Sequence, residues 1–142
     1  MFLRIDTIEQ AIRDLCDFKV EGEGYRLSYR IAADNLVLGN SVIADSCNPI
    51  ELSRIEWNEV VVIACSEYVN IEVICYDVSE HRRRVETRAP EVPGLKSTSW
   101  KCVVDREYHP WRSDRIVVDT ARSSIDDSIQ SLFVALNERE NI

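Results

Sequence analysis

The chain has 142 residues, 45% hydrophobic and 30% charged, with 17 Lys plus Arg against 25 Asp plus Glu for a formal net charge of −8. A chain of this length matches one domain of ~100–200 residues with its own buried core, and the composition excludes collagen-like and intrinsically disordered classes. A single α+β domain over residues 1–142 is therefore expected.

Phe2, Leu3 and Ile5 predict a short first strand. Thr7 with Gln10 three residues on reads as a capping box opening a helix, with Ile8, Ala11, Ile12 and Leu15 as its buried stripe. Arg13, Asp14 and Asp17 leave that helix on its polar side, and Glu21-Gly22-Glu23-Gly24 reads as a turn. Tyr25, Leu27, Tyr29 and Ile31 then alternate with polar residues, the period-2 signature of a strand with one wet face. Residues 37–43 predict its return strand, with Gly39-Asn40 as a hairpin turn, and residues 46–58 a connection.

The β-branched run Val60-Val61-Val62-Ile63-Ala64-Cys65 predicts a central strand, and residues 70–78 its hairpin partner. Further strands are expected at 85–87, 97–105 and 115–119, separated by the Pro/Gly loop Ala89-Pro90-Glu91-Val92-Pro93-Gly94. Ser123 or Ser124 caps a closing helix with Asp126 and Asp127 in its first turn, and Ile125, Ile129, Leu132, Phe133 and Leu136 on one face. The expected fold is α+β: an antiparallel sheet of roughly five to seven strands with an N-terminal and a C-terminal helix packed on one face.

Asp6 follows the N-terminal Met closely with no apolar run behind it, and no uncharged stretch exceeds ten residues, against ~20 apolar residues for a transmembrane helix. Cys16, Cys47, Cys65, Cys75 and Cys102 are odd in number and contain no CxxC pair, which fits free thiols in a reducing compartment. A cytoplasmic location without membrane contact is expected.

Catalytic chemistry finds little to work with. His81 and His109 are the two imidazoles; Cys102 with His109 is the one nucleophile and base pairing on offer, and a buried strand cysteine with a solvent-facing loop histidine explains the two far better. No Cys/His spacing suits zinc, and acids surround the glycines of residues 21–24, where a phosphate loop would present lysine. No catalytic, cofactor-binding or metal-ligating residue is assigned.

Charge is unevenly spread. Residues 80–115, including Arg82-Arg83-Arg84, hold nine positive and six negative side chains, while residues 1–60 hold six against eleven. Direct nucleic-acid binding is disfavoured by the overall sign. A concentrated negative surface speeds encounter with a basic partner and imitates the phosphates such a partner holds. The leading expectation is thus a small acidic inhibitor, of the immunity or antitoxin type, that neutralises a basic, nuclease-like protein by direct binding. The alternatives are an adaptor or homo-oligomeric subunit, and an enzyme with an unrecognised site. Asp14, Asp17, Glu21 and Glu23 are the expected partner-binding acids, with Tyr108 and Trp111 of an aromatic loop as further contacts.

Overall fold

The structure, a computed structural model, describes residues 1–140. The chain divides into two compact units, each discontinuous: residues 1–68, 89–97 and 106–110 form the first, and residues 69–88, 98–105 and those from 111 onward the second.

In the first unit, β1 (Phe2–Arg4) leads directly into α1 (Ile5–Leu15) and pairs in parallel with β2 (Ile43–Asp45), Leu3 opposite Ala44. Between them lies α2 (Glu23–Val37), and α3 (Glu51–Ile63) follows. Leu3, Tyr29, Ala32 and Val60 make the core, with Ile8, Tyr25 and Trp57 packed on it and the Tyr29 and Trp57 rings edge to face at 4.7 Å. Arg4 ties the edge of this unit together, its guanidinium 3.1 Å from Asp45 and 3.0 Å from Glu91.

The expected strand at Tyr25–Ile31 is helical because a second period coexists with its alternation. Gly24, Ser28 and Ala32 recur every four residues and are all buried, so a narrow seam of small side chains lets helices approach closely. A methyl group on Gly24 would clash with Glu9 Cγ, which shows how near α1 comes. The expected hairpin turn at Gly39-Asn40 instead ends α2: Gly39, at φ 81°, donates to the Leu36 carbonyl and Asn40 to that of Asn35, a Schellman closure.

The expected central strand at residues 60–65 is the end of α3, whose buried or half-buried Ser53, Trp57 and Val60 recur at helical spacing while Val62 and Ile63 face outward. This helix closes by the same device, Cys65 and Ser66 donating to Val62 and Val61, but with a cysteine at φ 49° where glycine is unstrained. Cys65→Gly should therefore raise stability by about 0.5–1 kcal/mol in urea unfolding, and a variant less stable than the parent would refute the strain.

In the second unit, β3 (Ile71–Ile74) and β4 (Ile116–Asp119) pair in parallel, joined by a crossover containing α4 (Val78–Thr87) and α5 (Trp100–Val104). The last element, α6 (Ile125–Glu140), packs on β4. Local chemistry sets the helix starts. The Asp77 carboxylate accepts the Ser79 and Glu80 amides at 3.1 Å, Ser99 Oγ accepts the Cys102 amide, and Ser124 and Asp127 exchange hydrogen bonds at the start of α6. Ser124 is thus the cap expected for the closing helix. The arginine run at 82–84 lies on α4, where Arg82 pairs with Glu86 and Arg84 reaches Glu80 and the Thr120 carbonyl.

Backbone amides hold the Asp77 carboxyl below the usual range, with Arg122 adding to the effect, and the Ser124 hydroxyl and amide do the same for Asp127. A depressed folded pKa contributes stability that is present above the ordinary carboxylate pKa of about 4 and is lost as pH falls through the folded value. Thermal stability should accordingly drop on acidification below about pH 4, with a shallower drop in the Asp77→Asn, Asp127→Asn double variant. Parallel pH profiles for parent and variant would contradict this.

The expectation of one antiparallel sheet of five to seven strands with two helices is overturned. Six helices and two separate two-stranded parallel sheets are present among the described residues. Residues 85–87 belong to α4 and most of 97–105 to α5, and β3 pairs with β4 rather than with residues 60–65. The capping box expected at Thr7 is absent: α1 begins at Ile5, and Gln10 donates to Asp14. No helix among the described residues is long and apolar enough to cross a membrane.

Candidate protein-binding surface

All four expected acids lie in the first unit, between the last turn of α1 and the first residue of α2. Asp14, near the C-terminus of α1, accepts from Gln10 Nε2 at 2.9 Å; Asp17 is exposed just beyond the helix; Glu21 pairs with Lys19 at 2.7 Å. Glu23 Oε2 accepts the Glu21 and Gly22 amides at 2.8 and 3.1 Å, which pulls its pKa down and anchors the start of α2, where the positive end of the helix dipole favours an anion. Three acids thus face water, while the fourth also serves the backbone.

Two apolar side chains sit among them. Leu15, expected on the buried stripe of α1, is 83% exposed, and Phe18 is exposed as well. The covered face of α1 is set by Ile5, Ile8 and Ile12, so the stripe is covered as far as Ile12 and ends before Leu15. Composition could not reveal this, since Leu15 satisfies the helical period. An exposed leucine and phenylalanine interleaved along the chain with the exposed Asp14, Asp17 and Glu21 bring apolar and charged groups to one stretch, the two components of a protein-binding patch.

The aromatic loop is divided. Tyr108 belongs to the first unit, where the Arg54 guanidinium stands 5.1 Å from its ring centroid; Trp111 belongs to the second, beneath Arg115 at 5.6 Å. Arg54, overlooked in the sequence, is what organises residues 106–110. It is 6% exposed and donates to the carbonyls of Asn48, Pro49, His109 and Pro110 at 3.0, 3.1, 2.9 and 3.2 Å. His109 completes the arrangement. Its Nδ1 accepts the Glu51 amide at 3.0 Å, capping α3 in place of the side chain that Ile50 cannot offer, and its amide donates to the Pro49 carbonyl. Nε2 then carries the proton and donates to Glu107 at 2.8 Å. The sequence signal for this cluster is the pair Pro49 and Pro110, each of which lacks a backbone N–H and so interrupts regular hydrogen bonding there.

His109 therefore spends both ring nitrogens on structure. Cys102 and His109 fall in different units, Cys102 taking a hydrogen bond from the Ser99 hydroxyl that lowers its thiol pKa. Among the described residues no group of three His, Cys, Asp or Glu side chains is placed to hold a metal ion. A scan against protein-family models and a search of curated proteins each found no match.

Proposed function

We propose that this chain is a small acidic inhibitor, of the immunity or antitoxin type, that acts in the cytoplasm by binding a basic, nuclease-like protein through the junction of α1 and α2. The observation that carries the reading is where the charge resides. The first unit holds fourteen acidic against eight basic side chains, a net of −6, while the second holds eleven against nine, a net of −2. Most of the molecule's negative charge thus gathers on the unit that also exposes Leu15 and Phe18 beside Asp14, Asp17 and Glu21.

Each part of that surface has a physical role in such binding. The acids steer a basic partner and set the encounter rate, whereas the apolar pair, desolvated on contact, slows dissociation. Tyr108, held under Arg54 in the same unit, is a further contact in this proposal. The test is capture of partners from the source cells at low and high salt, followed by assay of the captured protein's nuclease activity with and without the chain. Inhibition that weakens with salt and with neutralisation of the four acids is expected. A captured partner that the chain does not inhibit, or that binds equally after neutralisation, would overturn the reading.

A further inference from the structure

The second unit carries an uncovered apolar groove whose location follows from chirality and register. In β4, Ile116 and Val118 are buried and Val117 and Asp119 exposed, so α6 covers the Ile116 face. Register partners on parallel strands share a face, which places Ile71, opposite Ile116, and Val73, opposite Val118, on that same side of β3. Both are exposed, Val73 at 66%. One helix therefore covers half of the sheet face and leaves the β3 half open.

The helix supplies a second wall. Only residues 120–124 separate β4 from α6, and Arg139 near the end of the helix pairs with Asp114 just before the strand, so the helix returns antiparallel along the strand it covers. The Ile116 amide donates to the Asn70 carbonyl, so the residues of β4 that face α6 turn their amides toward β3. For L-residues this fixes on which flank β3 lies. A right-handed helix running back along β4 then turns toward that flank the residues one step beyond its covered row. That row is Ser128, Leu132 and Leu136, and the residues that follow its spacing by one are Ile125, Ile129 and Phe133, all exposed. The helix flank and the β3 floor therefore form one apolar groove.

We infer that this groove is the contact between two copies of the chain, the α6 flank of each lying on the β3 floor of the other about a two-fold axis. Such a contact is self-complementary, since each chain brings both a ridge and a floor. The five side chains leave on the order of 500 Å² of apolar surface exposed, in the upper part of the ~300–600 Å² range of the largest patch on a monomer, and covering it on both copies buries about 1,000 Å² in total, the size at which a specific but reversible interface begins. Charge selects the occupant. The groove lies on the nearly neutral unit, where identical copies meet without strong repulsion, whereas a basic partner is drawn to the unit of net −6.

Sedimentation velocity of the full chain over a concentration series tests this. A reversible monomer–dimer equilibrium is expected, with dimer Kd raised about tenfold or more by Phe133→Glu, which puts a charge in a desolvated contact. Val73→Thr, isosteric and at an exposed strand position, should weaken the dimer several-fold without disturbing the fold, and circular dichroism melts confirm folding of each variant. Val62→Ser, at an exposed site in the first unit, should leave the equilibrium unchanged. A monomer at every concentration overturns the inference, as does a dimer that survives Phe133→Glu and Val73→Thr or one that is lost on Val62→Ser.

Discussion

Replacing Arg54 with methionine is expected to lower unfolding free energy by about 3–5 kcal/mol, the largest loss for any single substitution considered in this chain. Methionine keeps most of the apolar stem, so the loss isolates the guanidinium. That group donates to four carbonyls drawn from two separate stretches, Asn48 and Pro49 on one side and His109 and Pro110 on the other. Removing it takes this donor from the part-buried Asn48, His109 and Pro110 carbonyls, at about 1–3 kcal/mol each less whatever water recovers, while the Pro49 carbonyl keeps the His109 amide. Arg54→Lys should restore less than half of the loss, because a compact ammonium cannot serve acceptors spread around a planar fork. Hydrogen exchange gives a local readout: the His109 amide, which donates to the Pro49 carbonyl, should lose protection together with the segment 106–110. A loss below about 1 kcal/mol by urea unfolding would remove Arg54 as the organiser of this region.

The second large effect concerns binding. Substituting Asp14→Asn, Asp17→Asn, Glu21→Gln and Glu23→Gln together halves the net charge of −8 and empties the junction of α1 and α2 of carboxylates. The association rate with a basic partner at low salt should fall at least tenfold, and its dependence on ionic strength should flatten. Leu15→Ser with Phe18→Ser should leave that rate nearly unchanged and accelerate dissociation, because apolar contacts act after encounter. Stopped-flow mixing separates the two. Glu23→Gln alone distinguishes folding from binding: its carboxylate accepts two backbone amides, so its loss should appear in the melt of the free chain, while Asp14→Asn and Asp17→Asn should appear chiefly in kinetics. An association rate indifferent to all four changes would dismiss charge steering.

Reading the sequence by large apolar side chains succeeded where one face is decided locally. The Pro/Gly loop at 89–94, the Ser124 cap with its acidic first turn, β1, and the β-branched segments of β3 and β4 follow from turn chemistry and propensity within a few residues. It failed at α2 and α3. In α2 the buried row is Gly24, Ser28 and Ala32, residues too small to register in a hydrophobic pattern, so the alternation of Tyr25, Leu27, Tyr29 and Ile31 dominated. In α3 two of the buried positions are Ser53 and Arg54, polar groups that can be inside only because Ser53 bonds Asn48 and Ile50 and Arg54 finds its carbonyls. Those partners are remote or depend on a turn, and a local pattern cannot supply them.

The candidate site divides in the same way. Asp14, Asp17, Glu21 and Glu23 could be singled out because they are close in sequence, and closeness in sequence around a turn guarantees closeness in space. The exposure of Leu15 and Phe18 could not, since an apolar residue at helical spacing is indifferent to whether a neighbour exists to cover it. His109 as the cap of α3, 58 residues from the amide it accepts, is likewise a matter of tertiary placement.

By itself the sequence determined an acidic, mixed α and β chain with its charge polarised along its length, because charge, turn residues and helix caps are properties of single residues and near neighbours. Tertiary structure alone decided that two small parallel sheets replace one antiparallel sheet, that the acids gather on one unit beside exposed apolar side chains, and that α6 leaves half of the β3–β4 face open. Each of these depends on which distant segments meet, and burial, unlike propensity, is a relation between them.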